Sequence, residues 1–235
     1  MVPEIDFTNP HEPFTPIVEA LFRSFIEDGS IVIEDQSPDE IILEYKAHLA
    51  IMIAEGTELH HVPDHRSTLW QHAESECDNG NPEIALTLYA LWIEHVVNGN
   101  LTAGFQRKGY DPDVINLLIR RLNIDEKITK LWRAAGFEPL SNADTSLISR
   151  IMETRNAFVH YKWKGYDETT DQSHREQLNA LLERAHALHD VFRSRENLLL
   201  WNGREDEIMN FHREDIKRHA EEAGPFIFGS ADGEA

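Results

Sequence analysis

An all-α fold, an antiparallel helical bundle with a helical extension at its N-terminus, is what this sequence predicts. Apolar residues recur at helical spacing almost throughout, convincing strand-like alternation is scarce, and capped helix starts and glycine stops punctuate the chain at short intervals. With 41% hydrophobic residues among 235, there is enough apolar material for one sizeable core, or a core with an appendage.

Taken in order, the first helix spans about 15–28, with Ile17, Val18, Leu21, Phe22 and Phe25 on one side and Gly29 as its stop. Ser30-Ile31-Val32-Ile33-Glu34 reads equally well as a short strand or a buried connector. Ser37-Pro38-Asp39-Glu40 starts the next helix: a cap, proline at the first position, then acids against the positive end of the helix dipole. That helix runs to about Ala54, where Gly56 ends it. A loop over 57–65 leads to a helix at about 66–77 and then to the turn Asp78-Asn79-Gly80-Asn81-Pro82. From Pro82 to about Asn98, and in extension to Lys108, the chain is apolar nearly all round, which marks a central helix.

Asp111-Pro112 opens a helix over 112–122, and Asp125 caps another over 126–135 that Gly136 closes. Residues 145–163 form the next, capped by Asp144 or Thr145. Asp171 to about Trp201 is a long amphipathic helix with Leu178, Leu181, Leu182, Ala185, Leu188 and Phe192 inward. A charged helix at about 203–222 and a Gly-rich tail complete the chain. The organisation expected is an N-terminal helical extension (1–63), a helical core (64–202), and a charged C-terminal helix with a tail (203–235).

Composition excludes several classes. No run approaches the roughly 18 apolar residues of a membrane span, and the acidic, proline-bearing start is not a secretory signal. Cys77 is the only cysteine, which rules out an internal disulfide and any cysteine-based zinc cluster. A cytoplasmic protein is the economical expectation. Net charge is −20, split as −16 over residues 1–102, +4 over 103–164 and −8 over 165–235. So acidic a chain repels polyanions at long range, and any nucleic-acid contact belongs to the middle segment. The same acidity also serves solubility alone.

The most informative stretch is Arg155-Asn156-Ala157-Phe158-Val159-His160. At about 100° per residue, Leu147, Ile148, Ile151, Met152, Phe158 and Val159 share one helix face. Arg155 falls near the middle of that face, where leucine would be expected. A permanent charge there is costly unless it meets a carboxylate, a partner chain or a phosphate. On an ideal helix His160 lies about 140° round from Arg155, so one copy cannot easily aim both at one atom, whereas two facing copies can.

A buried helix, shorter basic helices, a helix ending in Arg-Asn-x-x-x-His and a long closing helix together resemble the HEPN superfamily. These are small all-α domains defined by arginine followed after four to six residues by histidine, often with Asn, Asp or His directly after the arginine. Residues 155–160 match that spacing, and the resemblance covers roughly 64–202. It implies a metal-independent endoribonuclease of a toxin–antitoxin or antiviral system, acting on RNA as a homodimer with both motifs at one cleft and needing no cofactor. Carried onto this chain, Arg155 and His160 become the catalytic pair and Asn156 a positioning residue. An antitoxin or a nucleotidyltransferase is the further partner implied. Some members bear a tyrosine two residues after the histidine that such a nucleotidyltransferase modifies with AMP. Here Lys162 holds that position and Tyr161 adjoins His160, which puts this control in doubt.

Bland readings stand beside these. Arg155 also reads as one half of a buried ion pair, with Glu94 the obvious partner because it too interrupts an apolar helix. The two roles are compatible. Arg150, Lys162 and Lys164, with Tyr161 and Trp163, form either a phosphate-and-stacking surface or ordinary core aromatics beside solvated lysines. Arg107-Lys108, Arg120-Arg121 and the Lys127/Lys130/Arg133 set read as outer faces. The histidines at 60, 61, 65 and 72 lack helical zinc-ligand spacing except His61 and His65, which straddle Pro63, so no metal site is expected. The rival functions are a non-catalytic HEPN module that binds a protein or nucleotide, and an unrelated helical scaffold.

Overall fold

The computed structural model describes residues 15–57, 65–159 and 168–223. It is all-helical there, in the order α1 (Thr15–Glu27), α2 (Pro38–Glu55), α3 (Arg66–Asp78), α4 (Pro82–Gln106), α5 (Pro112–Arg121), α6 (Ile124–Glu126), a π turn (Lys127–Leu131), α7 (Trp132–Ala135), α8 (Asn142–Val159), α9 (Glu168–Leu200) and α10 (Glu205–Ala223). No helix among the described residues is long and apolar enough to cross a membrane. The chain divides into two compact units, one of residues 1–57 with 204–235, the other of 58–203.

In the first unit α10 packs on α1 and α2, a pairing the sequence does not announce. Its core is Phe22, Ile26, Ile41, Tyr45, Ile208 and Met209. The 30–34 segment is the buried connector, not a strand: Ile31 and Ile33 are buried and Val32 points out. Ser37 starts α2 with a capping box, its side chain accepting from the Glu40 amide while the Glu40 carboxylate accepts from the Ser37 amide at 2.8 Å. The Ser37 amide and hydroxyl, both donating to the Glu40 carboxylate, hold it below the usual carboxylate range. Around this core Arg23 pairs with Glu205, Arg213 with Glu19, and Lys46 with Asp215, each at 2.8 Å.

The second unit is built on α4, against which α3, α5, α8 and α9 pack. Tyr89, Trp92, Ile93, Val97 and Leu101 are buried on different sides of it, as expected of a helix apolar all round. It runs on to Gln106, beyond Asn98, because Asn100 is itself buried and α4 packs on α7 near its end. That approach needs Gly104, where an added Cβ would lie 2.9 Å from both Cβ and the carbonyl oxygen of Ala135. Two caps differ from expectation. Asn123, not Asp125, caps α6 by accepting from the Glu126 amide at 2.9 Å. α8 begins before Asp144, capped by Ser141, whose hydroxyl accepts from the Asp144 amide at 3.1 Å.

Candidate functional site

α8 carries residues 155–159 of the motif and is held by two kinds of contact. Its apolar face buries Leu147, Ile148, Ile151 and Met152. Near its middle the Ser149 hydroxyl donates to Asp125 Oδ1 at 2.5 Å, tying it to α6. The buried face stops short of the sequence expectation: Phe158 is 37% exposed and Val159 49%, so the last turn of α8 leaves the core.

Arg155 sits where burial gives way to exposure. Its Nη2 donates to Glu94 Oε1 on α4 at 2.7 Å and approaches the Met152 sulfur at 3.6 Å. The guanidinium side chain keeps 21% of its exposure and the Glu94 side chain 35%. Arg155 Nε is buried with no hydrogen-bond partner among the described residues. The charge is thus compensated on one edge while the group stays in reach of solvent. Asn156 and Arg150 are exposed. His160, Tyr161, Lys162 and Lys164, with Trp163, lie outside the described residues.

Glu94 meets a second cation that sequence periodicity places elsewhere. Lys127, expected on an outer basic face, is half-buried at the start of the π turn and donates from Nζ to Asn98 Oδ1 at 2.9 Å. Burial pushes its ammonium below the usual lysine range, and the Glu94 carboxylate opposes that shift. Lys130 keeps the expected exposed position and pairs with Glu126 at 3.4 Å. Glu94 and Asn98 stand four residues apart on α4, hence on one face. That i, i+4 polar pair inside an apolar helix is the signal the sequence offers, and the expectation above uses only its Glu94 half. A π turn is also a common location for functional side chains. Glu94, Asn98, Lys127 and Arg155 therefore make one polar cluster within the second unit, spanning α4, the π turn and α8.

Chemically, the cluster offers a fixed guanidinium, an ammonium whose charged form is disfavoured by burial, and a carboxylate between them. It suits an anionic, phosphate-like group better than a metal ion, since one carboxylate and one amide are its only oxygen donors. Among the described residues no group of three or more His, Cys, Asp or Glu side chains could hold a metal. Of the histidines weighed for metal binding, His60 and His61 lie outside the described residues. His65 packs edge-on to His95 at 6.2 Å. Compared with protein-family models, curated proteins and solved structures, the chain matches none.

Proposed function

We propose that this protein is a metal-independent endoribonuclease of the HEPN type, acting in the cytoplasm as a homodimer in a toxin–antitoxin or phage-defence setting. The observation that carries the reading is the Arg155 guanidinium, fixed by Glu94 at 2.7 Å yet partly exposed, directly before Asn156 on the helix that leads to His160. In the reaction the RNA 2′-hydroxyl attacks the adjacent phosphorus and the 5′-oxygen leaves, closing a 2′,3′-cyclic phosphate. His160 moves the proton, as an imidazole with a pKa near neutrality can. Arg155 meets the charge that grows on the phosphoryl oxygens, through donors that need no reorganisation. Glu94 is a positioning residue, and Asn156 orients the substrate. Lys162, Lys164 and Arg150 bind backbone phosphates, and Tyr161 stacks on a base.

The test incubates purified protein with total RNA in EDTA. Cleavage is expected from the wild-type chain. Arg155→Ala and His160→Ala should each lower it at least about 100-fold, the loss typical of removing one such group, while both variants keep wild-type circular dichroism and oligomeric state. Activity that needs added metal, or that survives both changes, contradicts the proposal.

Two observations favour a second reading. Glu94 already compensates Arg155, and the chain carries −20, which repels RNA. A non-catalytic HEPN module that binds a protein or nucleotide is compatible with both. Expression separates the two: an active ribonuclease slows host growth in a manner that Arg155→Ala relieves, and a binding module does not.

A further inference from the structure

Away from the Arg155 cluster, α3, the start of α4 and α9 enclose an open cavity of about 550 Å³. None of Glu94, Asn98, Lys127, Arg150, Arg155 or Asn156 lines it, so a ligand bound there is independent of the ribonuclease reading. The volume falls within the range of small-molecule sites, about 300–1,000 Å³. Pro82, Cys77 and the buried Leu182 give it apolar lining.

One polar feature is built into its wall. Glu74 Oε1 accepts from the hydroxyl of Tyr89, a residue only 1% exposed, and also from His186 Nδ1 at 3.1 Å. The carboxylate is thereby held by two other helices. Its second oxygen, Oε2, receives no hydrogen bond among the described residues. With Nδ1 as donor, His186 keeps a lone pair on Nε2. Asn179 adds a carboxamide and Glu183 a second carboxylate. The lining is therefore rich in acceptors at this end.

The Cys77 thiol is pushed up, first by burial and then by the Glu74 and Asp78 charges. Arg175 also lines the cavity, one helical turn before Asn179 and eleven residues before His186 on α9.

We propose that this cavity binds a small amine, its ammonium held by Glu74 Oε2 with His186 as a further acceptor and its apolar body over Leu182. A primary ammonium brings three N–H donors and no acceptor, which matches that set. A guanidinium edge fits less well, because a fork needs both carboxylate oxygens and Oε1 is already engaged. An anion would face Glu74 and Glu183 together.

The experiment is isothermal titration calorimetry of the full chain at physiological salt with phenethylamine, tryptamine and agmatine. Tryptophol, a neutral analogue of tryptamine, and indole-3-propionate, an anionic one, serve as controls. At least one amine should saturate a single site. For tryptamine the hydroxyl analogue should bind at least about tenfold more weakly, the worth of one charge-assisted hydrogen bond, and the propionate not at all. Glu74→Gln should lose at least about tenfold for the amine. Asn179→Trp, at an exposed position of the lining, should abolish binding while leaving Glu74 untouched, and so decides the question if Glu74→Gln fails to fold. Absence of saturable binding by all three amines, tryptophol binding as tightly as tryptamine, or amine binding undiminished in Asn179→Trp would overturn the proposal.

Discussion

Arg155 and Glu94 interrupt two apolar helix faces, and each answers the other. Because both side chains keep part of their exposure, the pair is neither a fully buried salt bridge nor a free surface one. A double-mutant cycle with Arg155→Met and Glu94→Gln should return a coupling of about 1–2 kcal/mol in chemical denaturation, between the surface and buried limits. Glu94→Gln alone should be the more harmful single change, since it leaves Arg155 and Lys127 without their shared carboxylate. Coupling near zero would mean that the bond is not maintained in solution.

His212 tests the other unit. It is 2% exposed, stacks on Phe22 at 4.1 Å between ring centroids, and meets the Tyr45 ring edge-on at 5.3 Å. Neither ring nitrogen has a well-formed hydrogen bond among the described residues. Burial pushes its imidazole down to about 4 from 6.5, with Glu19, Asp215 and the Val18 backbone opposing and Lys46 assisting. Between those values the unfolded chain binds the extra proton, so stability rises with pH across the window. The contribution is fully present above pH 6.5 and is lost as pH falls toward 4. It amounts to on the order of 3 kcal/mol. His212→Phe should flatten that part of the stability–pH curve, as read by urea midpoints, and an unchanged curve would place the titration elsewhere.

At the scale of elements, two features of the second unit carry definite costs. Gly104→Ala forces a Cβ against Ala135 and should destabilise by about 1–3 kcal/mol, lowering the melting temperature. Ser141→Ala removes the α8 cap and should cost about 1 kcal/mol. If Gly104→Ala were neutral, the close approach of α4 to α7 would be wrong. Where a cap and a proline coincide, as at Ser37-Pro38 and Asp111-Pro112, helix starts are legible in sequence, because both groups act through local backbone chemistry. The start of α8 is not, because Asp144 is also a capping type, and only the observed bond shows that Ser141 takes the role. Lys127 escapes the sequence for a different reason. A π turn shifts the phase of the residues it contains, so a 100° projection cannot tell which way that lysine faces.

For the molecule as a whole, amphipathic patterns give the number and order of helices but not their partners. Nothing in α1, α2 or α10 alone specifies that these three helices pack together, since an apolar stripe fits many others. The candidate site is partly legible. Charges inside apolar helices point to Arg155 and Glu94, and Asn98 is legible as the i+4 partner of Glu94, whereas Lys127 becomes visible only in three dimensions. Uneven charge bears on function at this scale as well. The +4 middle segment contains the polar cluster's Lys127 and Arg155, and it is flanked by strongly acidic sequence. An RNA substrate would be drawn to that segment against a repulsive background, which favours short-range contacts over long-range steering.

Product ends distinguish the proposed chemistry from hydrolysis by an activated water. Purified wild-type protein is incubated with a short end-labelled RNA in EDTA, and the fragments are resolved by mass. Attack by the substrate's own 2′-hydroxyl predicts 2′,3′-cyclic phosphates paired with 5′-hydroxyls, and no cut at a position bearing a single 2′-deoxy substitution. Fragments with 3′-hydroxyls, continued cutting at the deoxy position, or intact RNA would contradict it.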